Sequence, residues 1–223
     1  MERKFYKTYK ITQLKFWQNF WDYYKVHMLF AVMIIAVVAV GVKSCANRVD
    51  NDMTVIYFGE KAMMMPAKLE MYIEEWSEDI DGDGQITVEI SNNPFGAGES
   101  PETITAFLQK LDADLIAGDP FILMTDGVFI DRFVNMHSLA SLDEMLEGID
   151  IPEEYVKRDA DTNKVVAIDI TDLPAGEIAG VSSGTRMFMG MKVLPYREMD
   201  NENYMALHNQ VVKIIRNLLT LDQ

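Results

Sequence analysis

The longest apolar run in the chain is Met28 to Val42, fifteen consecutive positions without a charge, preceded by the amphipathic stretch Tyr23-Tyr-Lys-Val-His27. Together these give a helix of about 20 residues and roughly 30 Å, the thickness of a hydrocarbon core, and so predict a transmembrane helix over 23–43. Beyond it the pattern changes to short strand-like runs alternating with helical periods. Met53–Phe58 is β-branched and aromatic and reads as a buried strand. Leu69, Ile73 and Trp76 fall at helical spacing, with Glu70, Glu74, Glu75 and Glu78 on the other face and Pro66 in the first turn. Ile86, Val88 and Ile90 alternate with Thr87 and Glu89, which predicts a second strand over 86–90. Ser100-Pro101-Glu102 opens a helix carried on by Ile104, Phe107, Leu108 and Leu111. Asp114–Ala117 reads as a third short strand, and Leu142–Leu146 as a short helix. Val165–Ile170 and Met187–Val193 read as strands and Glu202–Leu219 as a closing helix.

Strands separated by helices predict parallel pairing in the first half. The two late strands have no long helix between them, so part of the sheet should be antiparallel. The fold class is therefore α/β: a transmembrane helix followed by one open, mixed, mostly parallel sheet with flanking helices. The organisation predicted is a basic, aromatic segment over 1–22, the span over 23–43, a linker over 44–52 and an acidic domain over 53–223.

Charge gives the orientation. Of 20 Lys+Arg and 35 Asp+Glu, the first 43 positions hold 7 basic and 2 acidic residues, which leaves 13 against 33 beyond them. The positive-inside rule puts the N-terminus in the cytoplasm and the acidic domain outside the cell membrane. Trp17, Phe20, Trp21, Tyr23 and Tyr24 suit the headgroup layer, and Ile11–Tyr24 reads as an interfacial helix. The segment before the apolar core is too long and too aromatic for a cleaved signal. Cys45, the single cysteine, follows Val42-Lys43-Ser44, where lysine replaces the small or aliphatic residue of a lipoprotein box; whether Cys45 is lipidated stays open. One cysteine also allows no internal disulfide. The acidic exterior repels nucleic acid and anionic lipid and suits cations, basic partners or plain solubility.

One motif carries specific chemistry: Asp79-Ile-Asp81-Gly-Asp83-Gly84-Gln85-Ile86. Carboxylates at alternate positions, a glycine for the sharp turn and a carbonyl from Gln85 match a hard, oxygen-ligated cation such as Ca²⁺, with Asp79, Asp81, Asp83 and Gln85 as ligands. The twelfth position, where an EF-hand carries a bidentate glutamate, is Ile90. The remaining ligand must then come from Glu89 or a distant acid. The competing reading is an Asp/Gly turn held by side-chain-to-backbone bonds. A cohesin-type ligand would need a second copy of the loop, which is absent.

Sixteen methionines include Met187, Met189 and Met191 on one strand face; these suit core filling better than a Cu(I) site, with no His or Cys beside them. His27, His137 and His208 are not spaced as ligands, and Ser182-Ser183-Gly184-Thr185 lacks the strand-turn-helix context of a nucleophile elbow. Nothing supports an enzyme.

Lys110-Leu-Asp-Ala-Asp-Leu-Ile-Ala-Gly-Asp119 followed by Leu139–Leu146 resembles the first lobe of extracellular solute-binding proteins of ABC importers, over residues 53–147. That resemblance implies an Asp-Leu-Ile strand ending at a ligand cleft, with the second lobe missing or abbreviated. The Trp21–Lys25 collar, the single span and the Asp81–Gly84 loop are similar to small single-pass membrane-anchored proteins of Gram-positive bacteria. Ligands in open α/β sheets bind beyond the carboxyl ends of the strands, which places Gly59 and Glu60, Asn92 and Asn93, and Gly118 and Asp119 on the expected ligand edge. A lone lobe suits a protein or glycan partner better than an enclosed solute. The leading expectation is a non-enzymatic binding or accessory module; the alternatives are a solute-binding component of an ABC-type transport system and, third, a surface hydrolase.

Overall fold

The computed structural model describes residues 14–46, 51–95, 98–181 and 184–221, and divides into two compact units, Met1–Val49 and Asp50–Gln223. The described residues of the first unit form one continuous helix, α1 (Leu14–Ala46, 33 residues). Its described side chains from Met28 to Val40 include Leu29, Ile35 and Val40, all strongly exposed. Among the described residues no helix is long and apolar enough to cross a membrane. The side chain of Cys45 and the start of the expected interfacial segment, before Leu14, lie outside the described residues.

The second unit is an α/β domain. Its elements in chain order are β1 (Met53–Gly59), α2 (Pro66–Trp76), β2 (Val88–Pro94), α3 (Pro101–Ala117), β3 (Ile122–Asp126), α4 (Ile130–Asn135), β4 (Val156–Arg158), β5 (Val165–Asp169), α5 (Pro174–Ala179), β6 (Met187–Met191) and α6 (Glu202–Thr220). They build one six-stranded sheet in the order β2-β1-β3-β6-β5-β4. β1 pairs in parallel with β2 and β3, and the remaining pairings are antiparallel. The sheet is open and mixed, as the alternation predicts, although antiparallel pairings outnumber parallel ones.

Side chains alternate across the strands and fill two cores. Val55 and Tyr57, Ile122 and Met124, and Met187, Met189 and Met191 point to one face, where α2, α5 and α6 contribute Leu69, Ile73, Ile178, Val211, Ile214 and Leu218. Ile56, Phe58, Leu123 and Phe188 point to the other, under α3 and α4. There Phe58 packs against Phe107, Phe129 and Phe133 with ring centroids 5.3, 4.4 and 6.4 Å away. The methionine stripe of β6 is therefore core, each member at most 2% exposed.

Three local expectations are corrected. Asp114–Ala117 is the last turn of α3, not a strand: Leu111 and Leu115, one helical turn apart, are both buried while Ile116 is 70% exposed, a helical rather than an alternating pattern. The third strand lies further on, after Pro120. Leu142–Leu146 does not form a helix but opens a run of turns: the Leu146 N–H reaches back four residues to the Leu142 carbonyl at 3.0 Å, but Glu147 and Ile149 bond only three residues back, to Glu144 and Leu146, so the α-helical ladder does not continue. The second strand starts at Val88, where pairing to Met53 begins, and leaves Ile86 40% exposed in the loop.

Candidate functional site

The Asp79–Gln85 segment joins α2 to β2, and its backbone closes around its own carboxylates. Asp79 Oδ1 accepts from Gly82 N–H at 2.6 Å and its Oδ2 from Gly84 N–H at 2.8 Å. Asp81 Oδ1 accepts from Asp83 N–H at 2.9 Å, and Asp83 Oδ1 from Gln85 N–H at 2.8 Å. Gly82 and Gly84 have φ of +76° and +85°, the left-handed conformation that lets the loop wrap.

One acid from outside the loop, Asp52, lies against it. Its side chain enters the loop from just before β1, Oδ1 accepting from Ile80 N–H at 2.6 Å and Oδ2 from Thr87 N–H at 2.8 Å, and the residue is 2% exposed. Asp52, Asp79 and Asp81 each bring a carboxylate oxygen within 4.8 Å of the others, a group able to hold a metal ion. Asp83 is adjacent but outside that group, and Glu89 instead accepts from Asn51 Nδ2.

Electrostatics inside the loop splits the two neighbouring carboxyls. The Gly84 N–H, helped by Gly82 and by a bond shared with Asp81, holds Asp79 below its ordinary value. For Asp81 the Asp83 N–H acts downward too, but desolvation, the charges of Asp83 and Asp52 and the bond to Asp79 outweigh it and leave Asp81 raised. One proton shared between the pair relieves their repulsion, and a divalent cation does the same without protonation. Each carboxylate oxygen that accepts one N–H keeps a second lone pair. The all-oxygen donor set thus fits a hard cation while the loop keeps its internal bonds.

A second cluster was not visible in the spacing of the histidines. His137, with φ of 50°, places Nδ1 2.7 Å from Asp159 Oδ2 and Nε2 3.4 Å from Asp161 Oδ2, tying the β4–β5 hairpin to the end of α4. Asp159 is buried and also accepts from Asp161 N–H, Thr162 N–H and the Thr162 hydroxyl. The only sequence signal was the Asp-Ala-Asp-Thr-Asn turn at 159–163.

The expected ligand edge is divided by the fold. Gly59 and Glu60 lie at the carboxyl end of β1 and Asn92 and Asn93 near that of β2, on one side of the sheet. Gly118 and Asp119 precede β3 and so lie at the opposite end, where buried Lys192 donates from Nζ to the Gly118 carbonyl. At the β1/β3 switch point the crevice is occupied by the chain itself. Asp126 Oδ2 accepts from Glu60 N–H at 2.6 Å, Tyr57 donates to the Lys61 carbonyl at 2.6 Å, and Asn92 bonds both N–H and carbonyl of Met63 at 3.1 Å. Burial, with the Asp126 charge behind it, pushes the Tyr57 phenol up to about 12, so it remains a donor. No known family model, curated protein or solved structure matches the chain.

Proposed function

We propose that the chain is a membrane-anchored, non-enzymatic binding or accessory module whose α2–β2 loop takes Ca²⁺. The observation that carries this reading is the convergence of Asp52 on Asp79 and Asp81: it supplies a distant acid where the sequence lacks the glutamate of an EF-hand. Calcium in this reading pins the entrance of β1 to the loop, and so fixes the domain at the point where the chain arrives from α1. Anchoring is supported by the apolar exposed face of α1, and by Gly41 and Val42, which continue the uncharged run. Such a surface is costly in water at roughly 25 cal/mol per Å². The basic flank argues for a cytoplasmic N-terminus and an outer domain, in the manner of the Gram-positive anchored proteins it resembles. A protein or glycan partner suits the closed switch-point edge.

The experiment is a melting comparison of the purified chain in detergent, in EDTA and in millimolar Ca²⁺. A ligand at about 100 times its Kd adds about 2.7 kcal/mol to the folded state, an easily measured shift. Identical melting in the two conditions removes calcium from the reading.

A further inference from the structure

The two edges of the sheet are built differently. β4, at one edge, is three residues long, shifts register between Lys157 and Arg158, and holds both of these cations in ion pairs, with Asp131 and Glu153. Short length, a bulge and charge are the usual protection of an edge against further pairing. β2, at the other edge, is seven residues long and pairs with β1 without a shift from Val88 to Pro94. Its only charged residue is Glu89. The ladder to β1 uses every second residue. The Thr87 carbonyl accepts from Met53 N–H, and Phe95 N–H donates to the Gly59 carbonyl. Glu89, Ser91 and Asn93 between them therefore turn their backbone groups to β1, whereas Val88, Ile90 and Asn92 turn theirs outward. No strand lies beyond β2, and among the described residues no loop backbone bonds to these outward groups. Pro94, the next outward position, has no N–H and closes the run.

We propose that the open edge of β2 is the interface of a symmetric homodimer, in which β2 of a second copy pairs antiparallel and joins two six-stranded sheets into one. The residues of the edge select both the partner and the register. Outward residues must face outward residues, which leaves few arrangements. Opposing Val88 with the partner's Ile90 sets Glu89 against the partner's Glu89, a like-charge pair. Opposing Ile90 with the partner's Asn92 sets Val88 against the partner's Pro94, which cannot donate. Registers centred beyond these shorten the overlap. Opposing Ile90 with the partner's Ile90 avoids every one of these costs: Val88 meets the partner's Asn92, each facing pair exchanges both N–H···O bonds, and Glu89 lies across from the partner's Ser91. Val88 and Ile90 pack on the side of the sheet that holds Leu69 and Ile73, so the paired isoleucines carry that core across the join. A strand that answers itself in one register, without a clash of charge, fits a second copy better than an unrelated peptide. The interface uses neither the cation of the acidic loop nor the anchor, and stands if either assignment fails.

The test uses the full chain in detergent, with Cys45→Ser so that no native thiol interferes. The register makes Glu89 and the partner's Ser91 a non-hydrogen-bonded pair, about 4.5 Å between Cα atoms and within disulfide reach, while like positions of the two copies stand on the diagonal, about 7–8 Å apart. A mixture of Glu89→Cys and Ser91→Cys chains should therefore oxidise to a disulfide-linked dimer, and neither chain alone should. Charge gives a second readout, the dimer Kd from sedimentation equilibrium. Ser91→Glu sets Glu against Glu twice and should raise that Kd about fivefold or more, whereas Ser91→Lys sets Lys against Glu and should lower it. Damage to the fold would not reverse with the sign of the charge. A chain still monomeric at about 100 µM, a mixture that cross-links no more than its separate chains, or a Kd that fails to move in opposite directions in the two variants overturns the proposal.

Discussion

Gln210 donates from Nε2 to the carbonyl of Asp52 at 2.9 Å across 158 residues of sequence. The same carboxamide accepts from Glu78 N–H at 2.7 Å and donates to the Glu78 carbonyl at 3.3 Å, so one buried side chain of α6 fastens both ends of the acidic site. Asp52 in turn passes its carboxylate into the loop. The backbone and side chain of Asp52 are therefore both committed, one to α6 and one to the turn. Gln210→Ala should lower stability by about 1–3 kcal/mol, because it leaves buried backbone groups without partners. Chemical denaturation of the two chains measures it.

The carboxylates of the loop should not contribute equally to cation binding. Asp52 and Asp81 belong to the converging group, whereas Asp83 is turned to Gln85 N–H. Asp52→Asn and Asp81→Asn should each abolish most of the Ca²⁺-induced rise in melting temperature, and Asp83→Asn should keep more of it. An Asp83→Asn loss as complete as that of Asp52→Asn would restore Asp83 as a principal ligand and remove Asp52 from that role.

How far the molecule was legible follows from the reach of each signal. α2 and α6 were readable because their buried positions repeat with the period of a helix: Leu69 and Ile73 in α2, and Val211, Ile214, Ile215 and Leu218 in α6, are all at most 1% exposed. β1 and β5 were readable as short runs rich in β-branched residues, buried on both faces. Ser100 was readable as a cap because its side chain must accept an N–H near the helix start, and it accepts from Thr103. Leu115-Ile116 was misread because two adjacent apolar residues fit a strand as well as the end of a helix, and only packing decides. β3 was missed because Phe121–Met124 is a short apolar run that periodicity cannot classify. Asp52 carried no local mark of its role. Its partners, the N–H groups of Ile80 and Thr87, lie 28 and 35 residues on, too far for any local pattern to link them.

Asp159 makes the hairpin at 159–164 pH-sensitive. The Thr162 N–H, then His137, bring its carboxyl down to about 2 from an ordinary 3.8. A carboxyl whose folded value is depressed contributes stability above the unfolded value and loses it as pH falls through the folded one. The contribution is thus complete above about pH 4 and fades between there and about pH 2. Asp159→Asn should destabilise the chain at pH 6, and the difference from the unmodified chain should shrink steadily below pH 4. A difference that is constant with pH would show that its hydrogen bonds matter and its charge does not.

Gly59, expected on a ligand edge, has a structural reason to be glycine. A Cβ there would stand 2.3 Å from the Tyr57 hydroxyl and 3.0 Å from Asp126 Oδ2, and both residues are about 1% exposed. Gly59→Ala should therefore cost about 1–3 kcal/mol by overpacking. Gly59→Ala with Tyr57→Phe, which removes the clashing oxygen, should recover part of that loss. Thermal melting of the single and double variants distinguishes this from a ligand contact, which stability alone would not register.

Orientation can be tested at a position the fold leaves open. Asp161 has a side chain 79% exposed, whereas its neighbour Asp159 is buried and a poor target for a reagent. In a Cys45→Ser background, Asp161→Cys should react in intact cells with a thiol reagent that does not cross membranes, and Thr8→Cys should react only after the cells are opened. The argument rests on the asymmetry of 7 basic residues against 2 acidic ones in the first 43 positions, followed by a strongly acidic remainder. Labelling of Thr8→Cys but not Asp161→Cys in intact cells would reverse the orientation. Labelling of neither until lysis would place both ends on the cytoplasmic side and end the proposal of an outer domain.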